Sequence, residues 1–403
     1  MYKAILFFNF CENDENFGVH LASFCEDRKV KNWREYLLQF FSMLEACLKC
    51  RWIKFDEDQE QYEVFFKQFS IDPTACSSLW NIDDKFYLRD HFLYTPKKGL
   101  YLLLNYNLLV DKFYQGMKFD FCKSILSRGG RDEKGNLIKD IPDFNALLGR
   151  RFSETTLFYD LMNKSFNGNY DILLSGIEMK PYFPKDGEPD FYVRKGKTAF
   201  IFEYKDITLG NKIKFSEDTN YIKKEILDRI CKGGEKSRKG GGQILHSINC
   251  IVNKQSLEKL DPDSTKVDIF YPIIVTTDRA LSAMGVNHIT FIEFANLAKT
   301  YDLSSTHVSP PIIIDLDTLF SISFRIHKNI LSFEEIITKY TSLLLTSPNG
   351  IDFISSFYTF VYDNYKQEFI TEDENIYMLG DMFKHLENNN NSNNCNKDKQ
   401  CLT

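Results

Sequence analysis

The chain has 403 residues, 43% of them hydrophobic and 26% charged, with a net charge of −6. That length exceeds what one hydrophobic core usually fills, so two or three domains are expected. The composition excludes a disordered or collagen-like chain, and the acidic balance excludes a protein that is basic throughout. At the amino terminus a short apolar run is broken at Asn9 and followed by acids where a cleavage site would fall, so a signal peptide is not expected. Apolar residues then recur at helical spacing from Trp33 to Cys50 (Trp33, Tyr36, Leu37, Phe40, Phe41, Leu44, Leu48). Tyr62–Phe69 is a second, shorter helical pattern. Phe92–Tyr94 and Leu100–Leu104 flank Thr95-Pro96-Lys97-Lys98-Gly99, which predicts a hairpin. The most apolar stretch, Gly99 to Val110, falls short of the roughly 18–20 residues that span a bilayer. A soluble cytoplasmic protein without membrane contact is expected.

The polar, glycine-containing segment 127–139 marks a boundary, giving an N-terminal α+β domain over residues 1–140, mainly helical. After it, Phe144–Phe166 has helical periodicity. Three strand candidates follow: Ile172–Met179, Phe191–Val193 and Thr198–Tyr204. Tyr221–Ile230 and Gln243–Val252 are predicted helices, separated by the glycine-rich loop KGGEKSRKGGG, and Val267–Val275 reads as a buried strand. A core over residues 141–290 is then followed by a helical region over 291–386. That region holds helical patterns at Ile292–Lys299, Phe333–Leu345 and Ile351–Tyr365, with the apolar run Ile312–Leu316 after two prolines. Residues 387–403 are Asn-rich with almost nothing to bury, the composition of a disordered tail.

Several motifs lead nowhere. The ten cysteines are scattered, which points to reduced thiols, and Cys47-x-x-Cys50 lies inside a helical pattern without further zinc ligands. The glycine-rich loop lacks the phosphate-loop spacing. His residues are dispersed; His246, one turn after Gln243, reads best as a structural histidine. Asp315-Leu316-Asp317 after a strand could bind a metal, and Asp317-Thr318 capping the next segment is the simpler reading.

Charge is uneven. Between Phe191 and Lys254 the chain carries 14 Lys and Arg against 7 Asp and Glu. A basic segment on an acidic background suits contact with a phosphate backbone, and equally a set of solvated helix faces. The segment from Gly187 gives it meaning. Pro189-Asp190 opens one short strand, Arg194-Lys195-Gly196-Lys197 turns, and a second strand ends in Glu203-Tyr204-Lys205. Period-two alternation puts Glu203 and Lys205 on one face, and a hairpin can bring Asp190 beside them. Two carboxylates at one point repel unless a cation sits between them, and such oxygen ligands suit Mg²⁺. A neighbouring Lys can steer a water or stabilise charge developing on a phosphate.

This order of Pro-Asp, hairpin and Glu-x-Lys resembles the PD-(D/E)XK nuclease superfamily, over roughly Pro142 to Asp278. The resemblance implies an α/β fold with a restriction-endonuclease-like core: helix, three strands, helix, strand, in a mixed sheet flanked by helices. It implies Asp190 and Glu203 as metal ligands, the Tyr204 carbonyl as a third, and Lys205 as the catalytic lysine. Glu154 on the first core helix and Gln243 on the later one match accessory positions. A second Glu-x-Lys, Glu178-Met179-Lys180, has no Asp upstream with room for a hairpin. The function so implied is Mg²⁺-dependent phosphodiester hydrolysis, with Mn²⁺ as substitute, by a DNA endonuclease of restriction or anti-phage defence. The basic segment 191–254 would contact nucleic acid, DNA before RNA, and the protein would be a homodimer. The alternative is an inactive nuclease-fold module that binds nucleic acid or a protein partner.

Overall fold

The computed structural model describes residues 2–56, 59–71, 85–184, 187–234, 238–346 and 355–368. The chain divides into two compact units, Met1–Leu157 and Phe158–Thr403.

The first unit opens with α1 (Tyr2–Asn13), α2 (Glu15–Asp27) and α3 (Trp33–Lys49). Asp14 caps α2 and Asn32 caps α3 through backbone amides of their first turns, satisfying donors that a helix leaves open. In α3 the buried face is Trp33, Tyr36, Leu37, Phe40, Met43 and Cys47. Leu48, expected on that face, is 66% exposed, because Met43 and Cys47 continue the stripe one position earlier. Next come β1 (Trp52–Lys54), α4 (Glu60–Lys67), β2 (Ser70–Ile71), α5 (Lys85–Asp90), β3 (Leu93–Lys97) and β4 (Leu100–Leu103). β3 and β4 form the expected hairpin in a sheet ordered β1-β4-β3-β2. The unit continues through α6 (Tyr106–Asp111), a π-helical stretch Lys112–Gly116, α7 (Met117–Ser127) and α8 (Ile141–Leu148), and its chain runs on into a second π-helical stretch, Gly149–Phe158.

Aromatic rings fill this unit. Phe8 stacks on Trp33, and Phe40 meets Phe65, Phe69 and Phe113 edge-on. Phe144 packs on Phe17, and Phe152 on Phe7 and Phe10. Those contacts hold residues 141–157 within the first unit, beyond the polar segment 127–139 where the composition changes. A buried charge cluster sits beside the rings: Lys112 Nζ lies 2.8 Å from Asp120 and 3.2 Å from Asp90. Burial opposes ionisation of Asp90, but the Lys112 and Lys123 ammonium groups prevail and hold its carboxyl at about 2. A carboxyl depressed on folding contributes stability that is complete above its unfolded value, about 4, and lost as pH falls through the folded one. Lys112→Met is therefore expected to lower the urea midpoint at pH 7 and to flatten its fall between about pH 5 and pH 2. Parallel titration curves for wild type and variant would contradict this assignment.

The second unit contains α9 (Tyr159–Phe166), β5 (Ile172–Ser175), α10 (Gly176–Met179), β6 (Phe191–Lys195), β7 (Thr198–Lys205), α11 (Asn211–Lys214) and α12 (Thr219–Ile230). Then come β8 (Cys231–Lys232), β9 (Lys239–Gly240), α13 (Gly241–Lys254), β10 (Ile269–Thr276), α14 (Val286–Ala298), β11 (His307–Val308) and β12 (Ile312–Asp315). Helices α15 (Leu316–His327), α16 (Phe333–Thr346) and α17 (Phe357–Tyr365) close the described chain. The sheet is mixed. β5, β6 and β7 are successively antiparallel, β10 lies parallel to β7, and β11 and β12 pair in parallel with different stretches of β10. This is an α/β unit with a mixed sheet flanked by helices.

Two expectations change. The strand expected over Ile172–Met179 ends at Ser175, because Ser175 and Glu178 form a capping box that starts α10. The region after residue 290, expected to be helical, also supplies β11 and β12. The run Ile312–Ile314 is buried throughout, as a parallel strand with both faces covered requires. The helix expected from Ile351 begins at Phe357; residues 351–354 and the tail 387–403 lie outside the described residues. The described cysteines are free thiols, and no described helix is long and apolar enough to cross a membrane.

Candidate active site

β6 and β7 form a hairpin closed by the pair Lys195↔Thr198, which leaves Gly196-Lys197 as a two-residue turn. Gly196 has φ +56°, the backbone that a glycine in the first central position of a type II′ turn supplies without strain. β7 then runs through the middle of the sheet and is buried from Thr198 to Tyr204. Ala199 and Ile201 join Tyr192, Ile244, Ile248 and Ile251 on one face. Phe200 and Phe202 pack against Phe333 on the other.

Alternation carries Glu203 and Lys205 onto the Ile201 face, where Glu203 is only 1% exposed. A carboxylate there is costly without a counter-charge, and Lys205 supplies one through an ion pair with Glu203 Oε1. The antiparallel ladder pairs Phe191 with Phe202 and Tyr192 with Ile201. Asp190 immediately precedes β6, beside that end of the ladder. Its Oδ2 accepts the Tyr204 amide at 2.6 Å, while its backbone carbonyl accepts the Gly176 amide at 2.8 Å. N–H and C=O of one extended residue point to the same strand edge, so the Tyr204 carbonyl is turned toward Asp190. The Tyr204 ring stacks on Phe158, with centroids 4.7 Å apart, which fixes the strand end from the other face.

Sequence reasoning thus placed Asp190, Glu203, Tyr204 and Lys205 at one strand end, and the fold brings them together. Gln243 sits in the first turn of α13, half-exposed. This helix connects the neighbouring parallel strands β7 and β10, so its N-terminus returns to the end of β7 that carries Glu203. His246 lies one turn on, with Nε2 3.7 Å from Cys250 Sγ. Burial first, then Arg238 and Lys254, lower its pKa, which keeps the ring neutral at pH 7. Glu154 lies in the π-helical stretch at the end of the first unit, half-buried, whereas the other candidates belong to the second. Glu178 Oε2 accepts Ser175 N at 2.8 Å and Ser175 Oγ at 2.6 Å, so the second Glu-x-Lys serves a helix cap. Asp315 likewise accepts the Thr318 amide at 2.9 Å.

Sequence reasoning missed the clamp behind the site. Asp278, just past β10, accepts the Leu209 amide at 2.8 Å and pairs with Lys214 at 2.8 Å. Thr277 Oγ1 donates to Asp206 at 2.9 Å. These bonds tie the chain leaving β7 to the end of its parallel neighbour. An Asp directly after the second buried strand was the available signal. The basic segment is also thinner than its count. Arg194 is held inside by Asp261, Lys205 is paired with Glu203 and the exposed Lys214 with Asp278, while Lys223, Lys224, Lys239 and Lys254 are exposed.

Among the described residues no three His, Cys, Asp or Glu side chains gather as a metal centre. Two carboxylates and a main-chain carbonyl remain, a donor set that suits Mg²⁺, which holds few protein ligands and keeps its waters. No protein-family model matches the chain, and no curated protein matches it. Among solved structures it is similar to the small subunit of a heterodimeric restriction endonuclease, at 13% identity and a TM-score of 0.26, covering 52% of this chain and 87% of that one. At that TM-score the likeness carries no argument, and the functional reading rests on the strand-end geometry.

Proposed function

We propose that the second unit is a Mg²⁺-dependent nuclease of the PD-(D/E)XK kind, cleaving phosphodiester bonds in DNA before RNA. One observation carries this reading: Glu203 is buried on a central strand and paired with Lys205, and Asp190 accepts the amide of the next residue, Tyr204. Burying one carboxylate beside a half-exposed second one costs stability, and a cation between them would offset that cost. Asp190, Glu203 and the Tyr204 carbonyl would hold that cation, and when bound it would polarise a phosphoryl oxygen and acidify a water.

The chain's own groups do the rest. Lys205 can contact a non-bridging phosphate oxygen and stabilise the charge that grows there. The Asp190 bond to the Tyr204 amide fixes one of its carboxylate oxygens. Gln243 lies at the same end of the sheet, where its amide can orient a water or a phosphate. Restriction or antiviral defence as the biological setting, and a homodimer for double-strand cleavage, belong to the same proposal by analogy with the superfamily.

The test is cleavage of supercoiled plasmid, linear duplex and single-stranded RNA with Mg²⁺ or Mn²⁺, with Lys205→Ala beside wild type. Cleavage by wild type alone establishes the activity and its substrate class. Equal activity in both proteins assigns it to a contaminant and removes the proposal.

A further inference from the structure

The second unit has a cleft of about 460 Å³ between α12 and α14, closed at one end by β8. Its floor is apolar: Leu227 and Leu297 pack over the buried trio Cys231, Leu245 and Phe294. Its rim is cationic, with Lys223 and Lys224 exposed on α12 and Lys232 on β8. Two acids share the rim. Asp228 is paired with Lys232 at 3.5 Å, and Glu293 stands on the α14 wall. β8 pairs Lys232 with Lys239 on β9, and α13, which carries Gln243, begins at Gly241. That clasp is tight, since a Cβ at Gly240 would lie 1.9 Å from the Ile230 carbonyl oxygen.

We propose that this cleft seats one unpaired nucleotide of a single-stranded segment, its base on Leu227 and Leu297 and its flanking phosphates on Lys223 and Lys224. A duplex presents its phosphates as a ridge and keeps its base faces stacked, so it would use the lysines and leave the apolar floor empty. A single strand can turn a base inward, and base faces bind apolar and aromatic floors with little sequence preference. The volume lies within the range of small-ligand pockets and fits one nucleotide. The inference rests on the nuclease reading only for the class of ligand; binding and cleavage are read separately.

The experiment is fluorescence anisotropy of labelled 12-nucleotide single strands and the matching duplex, with the full chain in EDTA. Wild type is expected to prefer the single strand. Lys223→Glu/Lys224→Glu should weaken it about tenfold or more and reduce the salt slope by about 1–2, the loss of two phosphate contacts. Leu227→Ser/Leu297→Ser should weaken single-strand binding and leave duplex binding unchanged. Lys259→Glu/Lys328→Glu makes the same change in net charge away from the cleft and should stay within about twofold of wild type. Circular dichroism checks that each variant is folded. Equal losses in the two lysine pairs, or preference for the duplex, would overturn the proposal. Binding that follows this pattern in a protein that cleaves none of the substrates in the Mg²⁺ and Mn²⁺ assay would uphold the cleft and count against the nuclease reading instead.

Discussion

Asp190→Asn is expected to abolish divalent-cation binding and to lower cleavage by at least about 10²–10³-fold, with little change in thermal stability. Asparagine keeps the size of the side chain and an oxygen able to accept the Tyr204 amide, whose bond to Asp190 is 2.6 Å long. It removes the charge that a hard cation requires. The loss corresponds to about 3–4 kcal/mol of transition-state stabilisation, the scale of removing one preorganised electrostatic group. Glu203→Gln should act alike on cation binding, but it also strips Lys205 of its buried partner and so should cost stability as well. The two variants therefore separate chemistry from folding. Mn²⁺ titration followed by calorimetry reads binding, and plasmid nicking reads rate. Undiminished Mn²⁺ binding in Asp190→Asn would remove the site, whatever the cleavage assay shows. Loss of binding with no activity in wild type would leave a metal-binding module of nuclease shape.

The arrangement of the candidate residues was legible because it is local. Asp190 and Glu203 are 13 residues apart, joined by a hairpin whose turn is announced by Gly196, and alternation alone sets their faces. The helices from Trp33, Thr219 and Gly241 were legible for a similar reason, each having an apolar stripe with recognisable ends. What was not legible depends on long-range packing. Ile312–Asp315 gives no sign of which strand it joins, and pairing with Ile273–Thr276 is settled by the apolar space beside β10. Residues 141–157 have the same helical pattern as the segment after them. Only the packing of Phe144 and Phe152 on Phe17, Phe7 and Phe10 assigns them to the first unit. The charge count misled for a related reason, since composition cannot tell the exposed Lys223 from the buried Arg194.

Arg194 leads to the second large effect, on stability. Asp261 is fully buried, and its carboxylate receives Arg194 Nε at 2.7 Å, Arg194 Nη2 at 2.9 Å and the Tyr192 hydroxyl at 3.0 Å. The hydrogen bond to Asp261, working against burial, raises the Arg194 pKa, and the guanidinium is locked as a cation. Asp261→Asn should destabilise the second unit by about 3–5 kcal/mol, because it takes from a buried cation its one buried counter-charge and leaves it only the exposed Asp171 at 3.2 Å and Asp263 at 4.0 Å. For a unit of this size that lowers Tm by roughly 10 °C. Arg194→Met/Asp261→Leu removes both charges, and apolar replacement of a buried pair is often close to neutral. The double variant should therefore melt well above Asp261→Asn. Thermal denaturation of wild type, Arg194→Met, Asp261→Leu and the double variant closes a cycle that measures the coupling; additive losses, or an Asp261→Asn midpoint within about 2 °C of wild type, would refute it. Asp190, Tyr192 and Arg194 alternate along one face of β6, so the pair anchors the strand that presents Asp190. A double variant that melts normally but binds Mn²⁺ weakly would show that the buried ion pair aligns the site, beyond holding the sheet.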